Sequence, residues 1–191
     1  MAATIVYFIS ETYLKQTSVV DENVDMKVVN PIILIAQDQR IQPIIGTGLF
    51  NQLKTQIQAG TLTALNTTLL DSYIAPALRM WIMYELTIPN TYKYRNKNVG
   101  KQGGENNEAA DLDTLLRLMD NWKDKAEWYS ERITKYLCEN DSSYPLYSNP
   151  GDGADTIHPN GTNYTTNMYL GNDGGCCNEE FLPNHGYTDL L

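Results

Sequence analysis

The chain has 191 residues, 14 Lys and Arg against 23 Asp and Glu, a formal net charge of −9, and 42% hydrophobic residues. That length buries one ordinary core with room for an appendage. The acidic balance disfavours wrapping nucleic acid, because affinity for phosphate backbones comes largely from Lys and Arg displacing counterions.

No stretch has the length and apolarity of a membrane span. No basic residue precedes Lys15, and the apolar run from Ile5 to Ile9 is too short for a secretory signal core. Cys138, Cys176 and Cys177 form no disulfide framework, and their odd count suits a reducing compartment.

In chain order, an extended lead-in precedes Ser10, which is placed to cap a short helix over 11–16. A helical pattern then starts near Asn23 or Asp25, with Met26, Val29, Ile33 and Ala36 on one face. Pro31 lies inside it, so the sequence predicts a fresh helix with Asn30 as cap, running to about Ile41. Gln42 to Gly46 closes that helix, and Thr47 is the expected cap of the next, over 48–58, which stops at Gly60. Thr61 or Thr63 opens the most apolar helix, over 64–88, where Leu65, Leu69, Tyr73, Ala77 and Trp81 recur at i+4. An apolar face so wide marks it as the central core helix, bent at Pro76.

Residues 89–107 read as a polar loop and hold the most basic stretch, with Lys93, Arg95, Lys97 and Lys101 as candidate contacts to an acidic partner. Gly100-Lys101 is followed by Gln102, so no phosphate loop is present. The run from Glu105 to Asn140 then contains neither Gly nor Pro. Leu112, Leu115, Met119, Trp122, Ala126, Tyr129, Ile133 and Tyr136 form one helical stripe, opposite Asp113, Arg117, Asp120, Asp124, Glu127, Glu131 and Lys135. The aromatic seam argues for burial in a bundle over a coiled coil, and Trp128 falls beside the stripe, where it could meet another subunit.

Composition changes at residue 141. All 14 Lys and Arg lie before residue 136, whereas from Asp141 onward there are seven acids and no basic residue. The expected organisation is a helical bundle over 1–140 and an extended, Gly/Asn/Tyr-rich acidic arm over 141–191. Asn160-Gly161, flanked by 155–159 and 162–170, predicts a hairpin with a two-residue type I′ turn. Tyr144, Tyr147, Tyr164, Tyr169, Phe181 and Tyr187 stud the arm, and such rings are enriched where surfaces dock. The fold class is therefore mainly α, a small bundle ending in one long helix, with an extended tail carrying a β-hairpin.

Catalytic chemistry has little support. Both histidines, His158 and His185, sit next to turn residues, and adjacent Cys176 and Cys177 lack the spacing of a zinc knuckle. Asp152 and Asp155 lack the remainder of a calcium loop. No catalytic, metal or cofactor residue is assigned.

The order of Ala36-Gln37, Ile44-Ile45-Gly46-Thr47-Gly48-Leu49-Phe50, Leu69-Leu70-Asp71-Ser72-Tyr73-Ile74-Ala75-Pro76, Asn96-Lys97-Asn98-Val99-Gly100 and Tyr136-Leu137-Cys138-Glu139-Asn140 resembles the head–tail connector (adaptor, or ring) proteins of tailed bacteriophages, particularly the crAss-like type. The resemblance covers roughly residues 5–147 and leaves the Gly/Asn tail outside it. It implies a non-enzymatic virion protein, assembled in the bacterial cytoplasm, that forms a twelve-fold ring in the neck. Its implied partners are further copies of itself, the portal protein and the next tail or ring protein. DNA would pass nearby without specific binding, and no membrane is involved. An acidic DNA mimic or inhibitor is the alternative class, and a small metal-binding module through Cys176, Cys177 and the histidines is the third.

Overall fold

A computed structural model of the chain describes residues 5–20, 24–94, 99–101 and 111–159. Helix α1, Glu11–Thr17, starts behind Ser10, whose Oγ accepts from the Tyr13 amide at 3.1 Å, as the sequence predicts. Helix α2, Met26–Ala36, starts behind Asp25, whose carboxylate accepts from the Lys27 amide at 3.0 Å.

The fresh helix expected at Asn30 does not occur, because α2 runs unbroken through Pro31. Val29, Ile32, Ile33 and Ala36 form one buried face across the proline. Pro31 is exposed, and so is Lys27, whose carbonyl loses its helical donor there. The missing bond thus falls on the wet side of the helix, where it costs least.

Two single π-helical turns, Gln37–Ile41 and Leu70–Ile74, join α2 to α3 (Gln42–Ala59) and α4 (Ala64–Leu69) to α5 (Ala75–Thr91). In each, the next amide reaches back five residues, Gln42 to Gln37 and Ala75 to Leu70, and a proline follows at once, Pro43 or Pro76. A proline ring crowds the carbonyl four residues back, and a widened turn before it gives room. Both turns share the pattern Asp-x-x-Ile-x-Pro, with Ile41 and Ile74 fully buried. The disturbance expected at Pro76 takes this form.

Gly46, at φ +78° and ψ 157°, breaks α3, and Gly60, at φ +66°, ends it as the sequence predicts. Thr63 caps α4 by accepting from the Asn66 amide at 3.2 Å. Helix α5 overruns the expected loop start at Pro89 and reaches Thr91, whose Oγ1 donates to the Thr87 carbonyl at 3.1 Å. Beyond it, β1 (Tyr92–Tyr94) pairs antiparallel with β2 (Val99–Lys101), Lys93 opposite Gly100, where an unpaired polar loop was expected.

The long helix α6, Leu112–Glu139, follows; the start expected at Glu105 lies outside the described residues. Its stripe packs as predicted. Leu115, Ala126 and Ile133 are buried and Met119, Trp122, Tyr129 and Tyr136 half-buried, while Leu112 at the first position is exposed. The named acids and bases of its outer face are all exposed, with i,i+4 pairs at Asp113–Arg117 and Glu131–Lys135.

Helix α5 supplies the centre of the core through Ala77, Leu78, Trp81, Ile82 and Leu86, and it packs most extensively on α6. Full burial of each large aliphatic there stabilises by roughly 1.5–3 kcal/mol. Trp81 Nε1 also donates to Ser130 Oγ on α6 at 3.0 Å, pairing the indole where water is excluded. Below the core, the buried amide of Gln37 accepts from the Phe8 amide at 2.8 Å and donates to the Val6 carbonyl at 3.1 Å. The extended lead-in is therefore held as a strand would be, by a side chain imitating backbone.

The expected boundary after residue 140 is corrected. A 3₁₀ turn, Asp141–Ser143, leads into α7, Pro145–Ser148, and Pro150, Ile157 and Pro159 beyond it contact the bundle. Tyr144 and Tyr147 are 3% and 1% exposed and belong to the core. A residue-type count shifts at 141, but burial follows the rings and not the charge.

Candidate interaction surface

The break at Gly46 creates a saddle for the segment after α7. Thr47 is expected to cap a helix with its side chain, and it does something else. Its amide donates to the Ile157 carbonyl at 2.9 Å, and its Oγ1 accepts from the Ile157 amide at 2.8 Å and from Gln42 Nε2 at 3.1 Å. The glycines on either side are required by closeness. A Cβ on Gly46 would lie 2.9 Å from the Pro159 ring, and one on Gly48 would lie 2.8 Å from the Pro150 backbone. Residues 150–159 are thus a strap laid across Gly46-Thr47-Gly48, with Pro159, the last described residue, against Gly46.

Under the start of the strap lies a tyrosine cluster. Tyr73 stacks on Tyr136 with centroids 4.0 Å apart, Tyr136 and Tyr144 hydroxyls are 3.2 Å apart, and Tyr144 donates to the Leu65 carbonyl at 2.9 Å. Burial first, then the hydrogen bond with Tyr136 and the nearby phenols, pushes the Tyr144 phenol well above its ordinary value. Tyr147 Oη sits 3.9 Å from the buried Cys138 thiol. Tyr144 and Tyr147, expected as docking residues, are therefore committed to the chain's own interior and correct that assignment. Tyr164, Tyr169, Phe181, Tyr187, the Asn160-Gly161 hairpin, Cys176, Cys177 and His185 lie outside the described residues.

Trp128 is 57% exposed, an unusual position for so large a ring. It has company that helical periodicity alone does not reveal. The Arg132 guanidinium lies 5.3 Å from the Trp128 ring centroid, 5.4 Å from Tyr73 and 5.7 Å from Tyr129. Two turns earlier, Lys125 Nζ lies 4.5 Å over the Trp122 ring. Aromatic and basic residues alternating at three- and four-residue steps along 122–132 were the available signal.

Of the basic-loop residues, Lys93 and Lys101 lie on β1 and β2, one register step apart, while Arg95 and Lys97 lie outside the described residues. A groove of about 360 Å³ opens between α5 and the first turns of α6, lined by Val19, Val20, Met83, Leu86, Leu115 and Leu118. Val19 and Leu118 of its lining are exposed, as are Leu112 and Leu116 on the first turns of α6. The only strongly perturbed titratable group described is Tyr144, which has structural partners, and among the described residues no three His, Cys, Asp or Glu converge as metal ligands. What the arrangement offers is surface.

No curated protein and no solved structure matches the chain. A protein family does, described as a family of unknown function (DUF6712), over residues 41–157. That stretch covers more than half of the sequence and ends on the strap residue that bonds Thr47. The chain belongs to the DUF6712 family.

Proposed function

We propose that this chain is a structural subunit of a ring in the neck of a tailed bacteriophage, joining portal to tail around the DNA channel. It acts by contact and performs no catalysis. The observation that carries the reading is the set of exposed apolar and aromatic residues, Trp128, Leu112, Leu116 and Leu118, along the one long helix α6. Large apolar side chains exposed together on one helix, an exposed Trp above all, are what interfaces bury. The sequence resemblance to head–tail connectors supplies the identity of that interface.

Physical considerations favour the same reading. Head-to-tail contacts close into a ring only when each subunit turns by a fixed fraction of a circle. A rigid bundle with a strapped-down launch point for its tail is suited to setting that rotation. Weak single contacts gain by repetition around the ring. The acidic balance would keep DNA moving past instead of adhering. The acidic-mimic alternative fits less well, since the acids of α6 are interleaved with Arg117, Lys123 and Lys135 in ion pairs and present no phosphate-like row.

The test is to mix the full chain with the purified portal protein of the same virus and image the product. A ring stacked coaxially on the portal is expected. Absence of any complex would remove the reading.

A further inference from the structure

Lys125 and Arg132 are cations laid over aromatic rings, and among the described residues neither has a carboxylate in ion-pair range. Other charged residues of α6 behave differently, with Arg117, Lys123 and Lys135 each paired to an acid one turn away. Trp122, Lys125, Trp128, Tyr129 and Arg132 follow one another at helical steps, so they form a stripe about 15 Å long on one flank. Ring faces hold each cation in place and lower the entropy lost when it meets an anion. Trp, Tyr and Arg together are also the residues on which binding energy concentrates. The stripe is therefore a preformed receptor for a segment that offers carboxylates beside an apolar ring.

This chain carries such a segment. Glu179-Glu180-Phe181-Leu182 sets two carboxylates directly before a ring, within a stretch that has no basic residue. The strap fixes where the tail departs, with Pro159 against Gly46. From Pro159 to Glu179 the chain can span up to about 65 Å, more than the diameter of a bundle this size, so a neighbouring copy is within reach.

We propose that the Trp122–Arg132 flank of α6 receives the Glu179–Leu182 segment of an adjacent copy, Glu179 and Glu180 pairing with Arg132 and Lys125 and Phe181 lying on Trp128. The inference rests on the ring reading above and deepens it by naming the fastening. Nucleic acid would also be drawn to cations beside rings, but a chain at −9 repels it in bulk, whereas the acidic tail is present in every assembled neighbour at high effective concentration.

The test uses full chains. One variant carries Lys125→Glu and Arg132→Glu; another carries Glu179→Lys and Glu180→Lys. Assembly is followed by mass photometry across a concentration series, with thermal melts confirming that each variant folds. Each variant alone should need about tenfold or more protein to assemble. Mixed in equal amounts they should assemble near the wild-type concentration, because each supplies the sign the other lacks. Variants that assemble like wild type, or a mixture that fails to recover, would overturn this docking while leaving the ring reading in place. A wild-type chain that stays monomeric throughout, with portal protein added as well, would overturn both. Should the helix variant fail to fold, Arg132→Ala against the tail variant repeats the first comparison.

Discussion

Thr47 and Ile157 bond each other twice across 110 residues of sequence, amide to carbonyl in one direction and amide to hydroxyl in the other. The threonine side chain thereby completes a ladder that the backbone alone cannot. Thr47→Val keeps the shape and removes the acceptor, leaving the Ile157 amide to find water. We expect a loss of about 1–2 kcal/mol in urea denaturation and faster protease cutting within the exposed residues 151–155, with Thr47→Ser close to wild type. Equal stability and equal resistance for Thr47→Val would show that the strap is held by its prolines alone.

Gly46 and Gly60 both have positive φ, yet they differ in what surrounds them. A Cβ at Gly60 meets nothing within 4 Å, so Gly60→Ala should cost only the left-handed strain, about 1–2 kcal/mol. Gly46, at φ +78° and ψ 157°, lies in a region that essentially only glycine occupies, and Gly46→Ala adds a collision with Pro159 at 2.9 Å, so it should cost clearly more, about 3 kcal/mol or above. Thermal melts of both variants, with Gly46→Ala repeated in a Pro159→Ala background, separate strain from contact, and a Gly46→Ala loss that Pro159→Ala leaves unchanged would mean that the ring yields freely.

Much of the bundle was readable because it is written in local periodicity and capping. Ser10, Thr63 and Gly60 act at their own helix ends, and the α6 stripe needs only a 3.6-residue count. What escaped depends on distant partners. Whether Pro31 stops a helix turns on Val29 and Ile33 being buried together, and Thr47 reads as a cap until Ile157 arrives. The widened turns before Pro43 and Pro76 do have a sequence signature, visible once the two stretches are set side by side. The tyrosines of 141–147 were misjudged because composition reports charge, while burial depended on Tyr136, Leu65 and Cys138. For the interaction surface, Trp128 was legible by position alone, but its pairing with Arg132 required knowing that Tyr73 stands opposite.

Gln37 is fully buried and answers both a donor and an acceptor of the lead-in. Gln37→Leu fills the volume but leaves the Phe8 amide and Val6 carbonyl unpaired. A loss of about 2–3 kcal/mol is expected, with earlier hydrogen exchange at Phe8 than in α5. Unchanged exchange at Phe8 would show that the lead-in is held by the Phe8–Phe50 ring contact instead.

Tyr144 contributes a fall in stability at alkaline pH. Its folded-state phenol ionises above the ordinary value of about 10, so between the two the unfolded chain loses a proton that the folded chain keeps. The resulting stability is fully present below about pH 10 and is lost as pH rises beyond it. Tyr144→Phe should lower stability near neutrality by about 1 kcal/mol, through the lost bond to the Leu65 carbonyl, and flatten the decline above pH 10. An alkaline decline as steep in Tyr144→Phe as in wild type would assign it to other groups.

The claim that this protein acts by assembly is tested most directly by native mass spectrometry of the full chain, alone over a concentration series and with portal protein added. The expected result is one closed, higher-order oligomer of defined copy number, formed at high concentration or on the portal. A single-chain mass under every condition would contradict it.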